Sequence, residues 1–194
     1  MENQFKNIIT GKHIILRKVE VGDAADIFKW RSGESGKFLR QPVGYSIQGQ
    51  VDWINSRTDK EINYIILSRK TQEKVGTIGI YDVNNEDKVA NVGRLLLNET
   101  YLGTSNPFGL EALLLCYDYL FNEMLFRKMT GDILATNTGM VKLQKFLGMR
   151  EEGFLEKHVV INGMLHDLHI MSIFKEEFND KYKKKIDFLL KSFN

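Results

Sequence analysis

Cysteine and proline are both scarce in this chain of 194 residues. The single cysteine, Cys116, excludes a disulfide within the chain and a cysteine-based metal cluster, and its apolar neighbours predict a small buried hydrophobe rather than a nucleophile. With two prolines, no repeats and no low-complexity tract, we expect one domain over residues 1–174. The four histidines show no metal-binding spacing, because His166 and His169 lie three apart in a predicted strand and face opposite ways. We predict no metal site.

A strong excess of one charge is lacking too. Lys plus Arg number 27 and Asp plus Glu 25, which leaves a net charge of +2. Dedicated nucleic-acid-binding proteins normally have a clear basic excess. No apolar run reaches the roughly 18 residues that span a bilayer, and residues 1–12 are too polar for a signal peptide. We therefore predict a cytoplasmic protein that binds neither nucleic acid nor membrane.

Hydrophobic periodicity alternates between strand and helix along the chain, which indicates an α/β (α+β) protein. Helices are predicted at Asp23–Trp30, at Ser46–Asn55 with Ser46 as N-cap, and over Gly109–Leu125. The predicted strands are His13–Val19, Asn63–Ser68, Lys74–Val83, Lys88–Leu97, Lys128–Ala135, Phe154–Ile161 and Met164–Phe174. Asn162-Gly163 lies between the last two strands and predicts a hairpin turn.

Residues 175–194 form a separate amphipathic segment. Phe178, Tyr182 and Ile186 recur at helical spacing, and the basic run Lys181–Lys185 lies largely on the opposite face. We predict a C-terminal helical extension that packs on the domain or on a second subunit. The second alternative would make the protein a homodimer.

The most informative stretch is Ile133–Gly153. A buried strand at its start opens at Asn137 and leads into a short helix that Gly148 ends. A strand-to-helix junction presents free backbone N–H groups and a polar side chain at the carboxyl end of a sheet, where α/β proteins tend to bind ligands. Asn137, the helix and the Leu147–Met149 end together resemble the final signature of the GNAT superfamily of N-acetyltransferases.

The order of predicted strands and helices over about residues 12–175 also resembles the GNAT arrangement. The resemblance implies a central mixed, mostly antiparallel sheet, splayed at an acetyl-CoA cleft and flanked by helices. It also implies direct transfer of an acetyl group from acetyl-CoA to an amine. The Trp30-Arg31 pair and the Asn162–Asp167 hairpin resemble two branches of the superfamily. One contains ribosomal-protein N-terminal and spermidine acetyltransferases, and the other acetylates amino groups of nucleotide-linked sugars.

The resemblance implies which residues contact acetyl-CoA. Exposed strand backbone at Leu95 and Leu97 would hold the acetyl group and the pantetheine arm. The pyrophosphate needs N–H donors at a helix N-terminus, and the implied residues are Thr104, Ser105, Asn106, Phe108, Gly109 and Leu110. This loop is longer than the family pattern and lacks its Gln or Arg, and Pro107 removes one N–H donor. Asn137 and Lys142 complete the implied contacts.

The usual catalytic groups of the family are partly replaced. Seven residues after Asn137, many members have a tyrosine that protonates the departing CoA thiolate, whereas Gln144 can only donate a hydrogen bond to developing charge. The acceptor amine must lose a proton, usually to a carboxylate through water. Asn91 occupies the common acidic position on the central strand. We therefore predict Asp132, the acidic position of the sugar-nucleotide branch, as the base, with Thr77 as a weaker candidate for ordering the water.

The region that covers the acceptor in this fold is basic. Its implied residues are Trp30, Arg31, Phe38, Arg40, Tyr45 and Tyr81, of which Trp30 and Phe38 also suit a core position. Lys37 and Arg40 suit a phosphate-bearing acceptor better than a polyamine, because residues 37–49 lack the carboxylate cluster that spermidine would need. A nucleotide-linked amino sugar is the best prediction for the small-molecule amine. A ribosomal-type N-terminal α-amine acetyltransferase and a non-catalytic acyl-CoA-binding module remain alternatives.

Overall fold

The computed structural model describes residues 5–40, 45–161 and 163–193. Its strands are β1 (Ile8–Thr10), β2 (Ile14–Lys18), β3 (Ile62–Ser68), β4 (Lys74–Asn84), β5 (Val89–Leu97), β6 (Lys128–Leu134), β7 (Arg150–Ile161) and β8 (Met164–Phe174). Its α-helices are α1 (Ala24–Ser32), α2 (Ile47–Asn55), α3 (Phe108–Asp118), α4 (Thr138–Phe146), α5 (Lys175–Glu177) and α6 (Lys183–Lys191). A π-helical turn follows α3 at Tyr119–Glu123, and another joins α5 to α6 at Phe178–Tyr182.

The strands form a mixed sheet of eight strands in the order β1-β2-β3-β4-β5-β6-β8-β7. The pairs β1–β2, β2–β3, β3–β4, β6–β8 and β7–β8 are antiparallel. β5 and β6 pair in parallel, with Val89–Asn91 opposite Lys128–Thr130. The arrangement is therefore mixed and mostly antiparallel, as the sequence predicts.

The chain divides into two compact units, and β5 contributes residues to both. The first unit comprises the described residues up to Val83 together with Val92–Cys116. Its core on one face of the sheet is formed by Val19, Ile27, Trp30, Ile65 and Leu96. These side chains come from the connection between β2 and α1, from α1 itself, and from β3 and β5. Burial of their apolar surface therefore stabilises the packing of α1 on the strands.

The second unit comprises Asn84–Asn91 and the described residues from Tyr117 onward. Phe178 of the C-terminal extension is fully buried there, with its ring 5.8 Å from the Tyr117 ring and 5.4 Å from the Phe121 ring. Gly148 has φ +99°, and a Cβ at this position would collide with the Tyr182 ring. The extension therefore packs on its own unit, which is the first of the two predicted alternatives.

Most predicted elements are present, with small shifts at their ends. Ser46 caps α2 as predicted, since its hydroxyl oxygen accepts the Gly49 N–H at 3.0 Å. The sequence did not indicate β1, whose three residues are too few for a periodic pattern. β7 was predicted to begin at Phe154 but begins at Arg150, because Arg150 and Glu151 already pair with β8. Because both side chains are charged, the sequence there lacks the alternation of apolar and polar residues that indicates a strand.

Three further expectations from the sequence concern the hairpin turn, a membrane span and a metal site. In the predicted hairpin turn, Gly163 has φ +77°, while Asn162 lies outside the described residues. In the part of the chain that the structure describes, none of the helices is both long and hydrophobic enough to cross a membrane. Over the same residues, no group of three or more His, Cys, Asp or Glu side chains is placed to hold a metal ion.

Candidate active site

The loop before α3 is held together by Asn106. The Asn106 side-chain amide donates to the carbonyl oxygens of Tyr101 at 2.9 Å and Thr104 at 3.3 Å, and its Oδ1 accepts the Phe108 N–H at 3.1 Å. The Thr104 hydroxyl donates to the Tyr101 carbonyl at 3.0 Å. The donor groups of Thr104 and Asn106 are therefore engaged within the loop itself.

The start of α3 nevertheless leaves donors for a ligand. Pro107 has no N–H, and the Phe108 N–H is already bonded. Within the described residues, the structure gives no hydrogen-bond partner for the backbone N–H groups of Gly109 and Leu110 or for the exposed Ser105 hydroxyl. Free N–H groups at a helix N-terminus attract anions. Of the predicted pyrophosphate contacts, these three positions have the donors best suited to the role.

The carboxyl-terminal half of β5 lies beside this helix start in the first unit. A Cβ built on Gly109 would lie 3.5 Å from Leu95 Cδ2 and 3.6 Å from Leu97 Cδ1. The Leu97 carbonyl oxygen accepts a hydrogen bond from the Ser35 hydroxyl at 2.5 Å. One backbone acceptor predicted to contact the pantetheine arm is thus engaged within the protein, so the prediction depends on the remaining backbone groups of Leu95 and Leu97.

Asn137 lies at the start of α4, in the second unit. Its Oδ1 accepts the Met140 N–H at 3.2 Å, which makes it the helix N-cap. Lys142 is exposed one turn further on. The capping role follows directly from the hydrogen bond, whereas contact of either residue with CoA stays a prediction.

Gln144 is buried inside the second unit, with 3% of its surface exposed. The hydroxyl of Tyr117 donates to Gln144 Oε1 at 2.5 Å, and Gln144 Nε2 lies 3.9 Å from the sulfur of Met140. The sequence did not point to Tyr117, because its partner lies 27 residues away; the available signal was a hydroxyl on the apolar face of a helix. The two predicted roles of Gln144, toward the thiolate and toward the acceptor, remain predictions.

Asp132 and Thr77, the groups predicted to handle the amine proton, have different surroundings. Asp132 is exposed on β6 between the buried residues Gly131 and Ile133. Thr77, on β4 of the first unit, is 9% exposed, and its hydroxyl donates to the Arg94 carbonyl at 3.4 Å. The exposed carboxylate has room for the water that a base would act through. Both assignments stay predictions.

Several residues predicted to cover the acceptor lie together in the first unit. Arg31 Nη2 donates to the Arg40 carbonyl at 2.7 Å, and the Arg31 guanidinium lies 5.7 Å from the centre of the Tyr45 ring. Burial, with the like charge of Arg94 as a smaller cause, lowers the pKa of Arg31. Burial also raises the pKa of Tyr45, whose hydroxyl donates to Gln50 Oε1 at 2.7 Å. The three residues form a basic and aromatic group.

Trp30 and Phe38 occupy different environments. Trp30 is buried in the core of the first unit, so its position matches the core alternative. Phe38 is half-buried, and the Lys37 ammonium lies 5.2 Å from the centre of its ring. Of these two aromatic side chains, only Phe38 keeps a surface that a ligand could contact.

A charged cluster on the first unit was not singled out by the sequence. It consists of Trp53, Arg57, Glu61, Asn63, Tyr81 and Arg94, here called the Arg94 cluster. Glu61 forms ion pairs with Arg57, at 2.6 Å, and with Arg94. The Arg94 guanidinium lies 4.2 Å from the centre of the Tyr81 ring, which joins a predicted acceptor residue to the cluster. The available signal was a lone charged residue in the apolar strand that follows Gly93.

A groove of about 1010 Å³ in the first unit borders this cluster. Trp53, Arg57, Glu61 and Asn63 line one part of it, and Arg17 lines another. Arg17 itself is paired with Asp23 at 2.8 Å. These four members of the cluster therefore border an accessible concave surface, while Arg94 and Tyr81 are not among the residues that line it.

Two buried groups of α3 have raised pKa values. Burial raises the pKa of the Cys116 thiol, which removes the thiolate that a covalent acetyl step would need. Burial also raises the pKa of Glu111, although the backbone N–H groups of Lys12 and His13 donate to its carboxylate and oppose the shift. Cys116 is thus the small buried hydrophobe that its neighbours predict.

Comparison with known proteins gives consistent matches over most of the chain. A family model described as an acetyltransferase (GNAT) domain matches residues 13–150. The protein named Probable N-acetyltransferase YjcK from Bacillus subtilis (strain 168) is 24% identical over 177 residues, which cover 86% of this chain and 96% of that protein.

Solved structures agree in fold. A GCN5-related N-acetyltransferase from Brucella melitensis superposes with a TM-score of 0.82 at 17% identity, over 97% of this chain and 87% of the other. A spermidine N-acetyltransferase SpeG chimera from Vibrio cholerae and hSSAT gives 0.78 at 19% identity, over 88% and 100%. The fold predicted from the sequence, a mixed sheet flanked by helices with a C-terminal helix, is confirmed. These likenesses do not distinguish between branches or acceptors.

Proposed function

Because the chain belongs to the GNAT family of acetyltransferases, we propose that it transfers an acetyl group from acetyl-CoA to a primary amine of a small molecule. Our best candidate for the acceptor is a nucleotide-linked amino sugar. Members of this family use acetyl-CoA as co-substrate and act on small-molecule or protein amines. The observation that carries the proposed acceptor class is the basic and aromatic group formed by Arg31, Arg40 and Tyr45.

The residues at the start of α3 fit a CoA pyrophosphate. The backbone N–H groups of Gly109 and Leu110 lie in the first turn of α3, at the positive end of the helix dipole, and the Ser105 hydroxyl adds a side-chain donor. Asn106 holds the loop in place without using these donors. When bound, acetyl-CoA supplies the acetyl group as an activated thioester.

The acceptor class follows from charge. The Arg31 guanidinium contacts the Arg40 backbone, so two arginines meet in one region, and residues 37–49 contain no carboxylate. Guanidinium groups bind phosphate oxygens through charge-assisted hydrogen bonds. A polyamine would instead be repelled by these cations. A phosphate-bearing amine is therefore favoured over spermidine.

Proton transfer is assigned to this chain's own polar groups. Asp132 accepts the proton of the acceptor amine through a water molecule, because its exposed position on β6 leaves room for that water. Gln144 stabilises developing negative charge through its amide N–H donors, since Tyr117 occupies the amide oxygen. Neither group forms a covalent bond to the acetyl group, so transfer is direct.

An acetyl-CoA thiol-release assay over a panel of amines tests the proposal. The panel contains nucleotide-linked amino sugars, free amino sugars, spermidine and peptides with free N-termini. We expect turnover with the nucleotide-linked amino sugars. Turnover on peptides alone would support the ribosomal-type alternative, and turnover on spermidine alone would overturn the charge argument. Binding of CoA without turnover on any amine would indicate the non-catalytic module.

A further inference from the structure

Arg94 has an unusual backbone conformation for a charged residue inside a strand. Its φ is +55°, in the left-handed region that residues other than glycine rarely adopt. Such a conformation persists only where surrounding contacts enforce it, and it is common at functional sites. Arg94 directly precedes Leu95, whose backbone is predicted to contact the acetyl group. Its side chain therefore begins next to the predicted reaction centre.

The Arg94 side chain is fixed in its place. Arg94 Nη1 donates to the Glu61 carboxylate and, at 3.1 Å, to Asn63 Oδ1. The guanidinium stacks on the Tyr81 ring at 4.2 Å. Gly79 leaves the space for this arrangement, because a Cβ there would lie 3.3 Å from Arg94 Cδ and 2.7 Å from Asn63 Oδ1. The fixed guanidinium loses little conformational entropy when it binds a ligand.

One edge of this guanidinium remains available. Within the described residues, the structure gives no partner for Arg94 Nε or Nη2, and 29% of the side chain is exposed. In Arg57, the other arginine on Glu61, all three nitrogens are engaged: Nε with the Trp53 carbonyl, Nη1 with Glu61 and Nη2 with the Ser56 hydroxyl. The Nε–Nη2 edge of arginine matches the two oxygens of a carboxylate or phosphate.

The local charge also favours an anion. Glu61 is 13% exposed and its one carboxylate is shared by two guanidinium groups. The cluster therefore keeps one positive charge that these three residues do not balance. Asn63 Nδ2 is buried and has no hydrogen-bond partner among the described residues, whereas buried polar groups normally have one. The polar network of the Arg94 cluster is incomplete without a further acceptor atom.

We propose that Arg94 binds an oxyanion of the acceptor, a carboxylate or phosphate group near the reacting amine, through its Nε and Nη2 donors. Arg94 thus adds to the basic group around Arg31 a second determinant of selectivity for anionic amines, and Glu61, Asn63 and Tyr81 position it. This inference rests on the proposed acetyltransferase function and adds a residue that recognises the acceptor.

The test compares Arg94→Gln with a matched control, Arg57→Gln. Both substitutions remove one guanidinium from Glu61, but only the first removes free donors. The ligands are matched amines that carry a phosphate, a carboxylate or a neutral hydroxyl at the same place. Their affinity for the CoA-saturated protein is measured by titration calorimetry, and their kcat/KM by thiol release.

We expect Arg94→Gln to weaken binding of the anionic amines about 10- to 100-fold, as loss of charge-assisted hydrogen bonds predicts. The neutral amine should be unaffected, and Arg57→Gln should change all three less than about 3-fold by the same reasoning. Arg94→Lys keeps the positive charge but loses the paired N–H donors of the guanidinium group. Its loss of affinity for the anionic amines should therefore be intermediate. The phosphate and carboxylate arms identify which oxyanion is preferred.

Two outcomes would overturn the inference. Equal loss for anionic and neutral amines in Arg94→Gln would indicate a purely structural role, and unchanged anion affinity would exclude Arg94 as the anion site. If Arg94→Gln does not fold, Arg94→Lys is compared with the wild type instead. A loss of affinity for the anionic amines but not for the neutral amine would again support the inference. Absence of turnover on every amine would refute the proposed function, whereas the calorimetric comparison would still test anion binding.

Discussion

Both α3 and α4 begin after an asparagine whose side-chain oxygen accepts a backbone N–H, yet different groups surround the two starts. Asn106 accepts from the second residue after it, and Pro107 between them has no N–H. Asn137 accepts from the third residue after it, with Thr138 and Gly139 between them. Before α3 lies an exposed loop, and before α4 lies a buried strand end.

The nearby charges differ as well. The first turn of α3 contains the acidic Glu111, which is buried and held by the backbone N–H groups of Lys12 and His13. The first turn of α4 contains no acidic residue, and Lys142 follows it. An anion at α3 would be attracted by the spare backbone donors and the Ser105 hydroxyl, whereas at α4 a cation would contribute. The prediction that the pyrophosphate binds at α3 rests on these free donors and not on a charged residue.

The largest expected effect is a loss of turnover without a loss of acetyl-CoA binding at the start of either helix. Asp132→Asn should lower turnover at neutral pH by about 10²-fold, because a positioned base contributes on that order. The acetyl-CoA-induced shift in melting temperature should stay unchanged, since Asp132 lies at neither helix start. The control is Asp180→Asn, an exposed carboxylate in the same unit. An active Asp132→Asn variant with an unaltered pH profile would transfer the role to Thr77 and an ordered water, or to no residue at all.

Placing the same negative charge at the start of α3 or of α4 tests which of the two helices binds the pyrophosphate. Ser105→Asp should abolish the stabilisation by acetyl-CoA, which reaches about 2.7 kcal/mol at a concentration of 100 Kd, because the carboxylate repels the pyrophosphate. Thr138→Asp should leave most of it. Thermal shifts with and without acetyl-CoA measure both. The reverse pattern would assign the pyrophosphate to α4.

The elements and the α4 motif could be predicted because they depend on local patterns. Asn137 and Gly148 bound α4 within a dozen residues, and Ser46 caps α2 within three. The cluster around Arg94 could not be predicted in this way. Glu61 lies 33 residues from Arg94, and their meeting depends on strand register and on a left-handed backbone at Arg94. A one-residue change of register would separate them.

The α3 site was only partly predictable for a similar reason. The residue types of the loop suggested side-chain donors from Thr104 and Asn106, but these groups bond within the loop. The conformation of the loop decides which hydroxyl and N–H groups remain free. The residue types alone do not determine that conformation.

A substitution at Gln144 tests whether α4 carries a missing acid. Gln144→Tyr should give no gain in turnover, should raise the Michaelis constant and should cost about 1–3 kcal/mol of stability through overpacking. The overpacking follows because Gln144 is buried and already bonded to Tyr117. The raised Michaelis constant follows from the other predicted role of Gln144, contact with the acceptor, because a phenol is bulkier than the amide it replaces. Steady-state kinetics and urea denaturation measure the three effects. A clear gain in turnover would show that the site does lack a general acid.

The acid in the first turn of α3 predicts a pH dependence. Because burial raises the pKa of Glu111, the folded protein holds this proton more tightly than the unfolded chain. The contribution of Glu111 to stability is therefore full below its unfolded pKa and is lost as the pH rises through its folded pKa. Urea denaturation across this range should show a fall that Glu111→Gln reduces. An equally steep fall in the variant would mean that another group causes it.

The smallest expected effects come from adding one methyl group to the first turn of each helix. Gly109→Ala and Gly139→Ala should each stabilise the protein by about 0.4–1 kcal/mol, because alanine restricts the unfolded chain and favours helix. Neither meets a clash: a Cβ at Gly109 only touches Leu95 and Leu97, and one at Gly139 has open space. The methyl of Gly109→Ala would lie against the strand predicted to hold the pantetheine arm, so only this variant should show a smaller melting shift with acetyl-CoA. An equal shift in both variants would mean that acetyl-CoA does not contact the start of α3 closely.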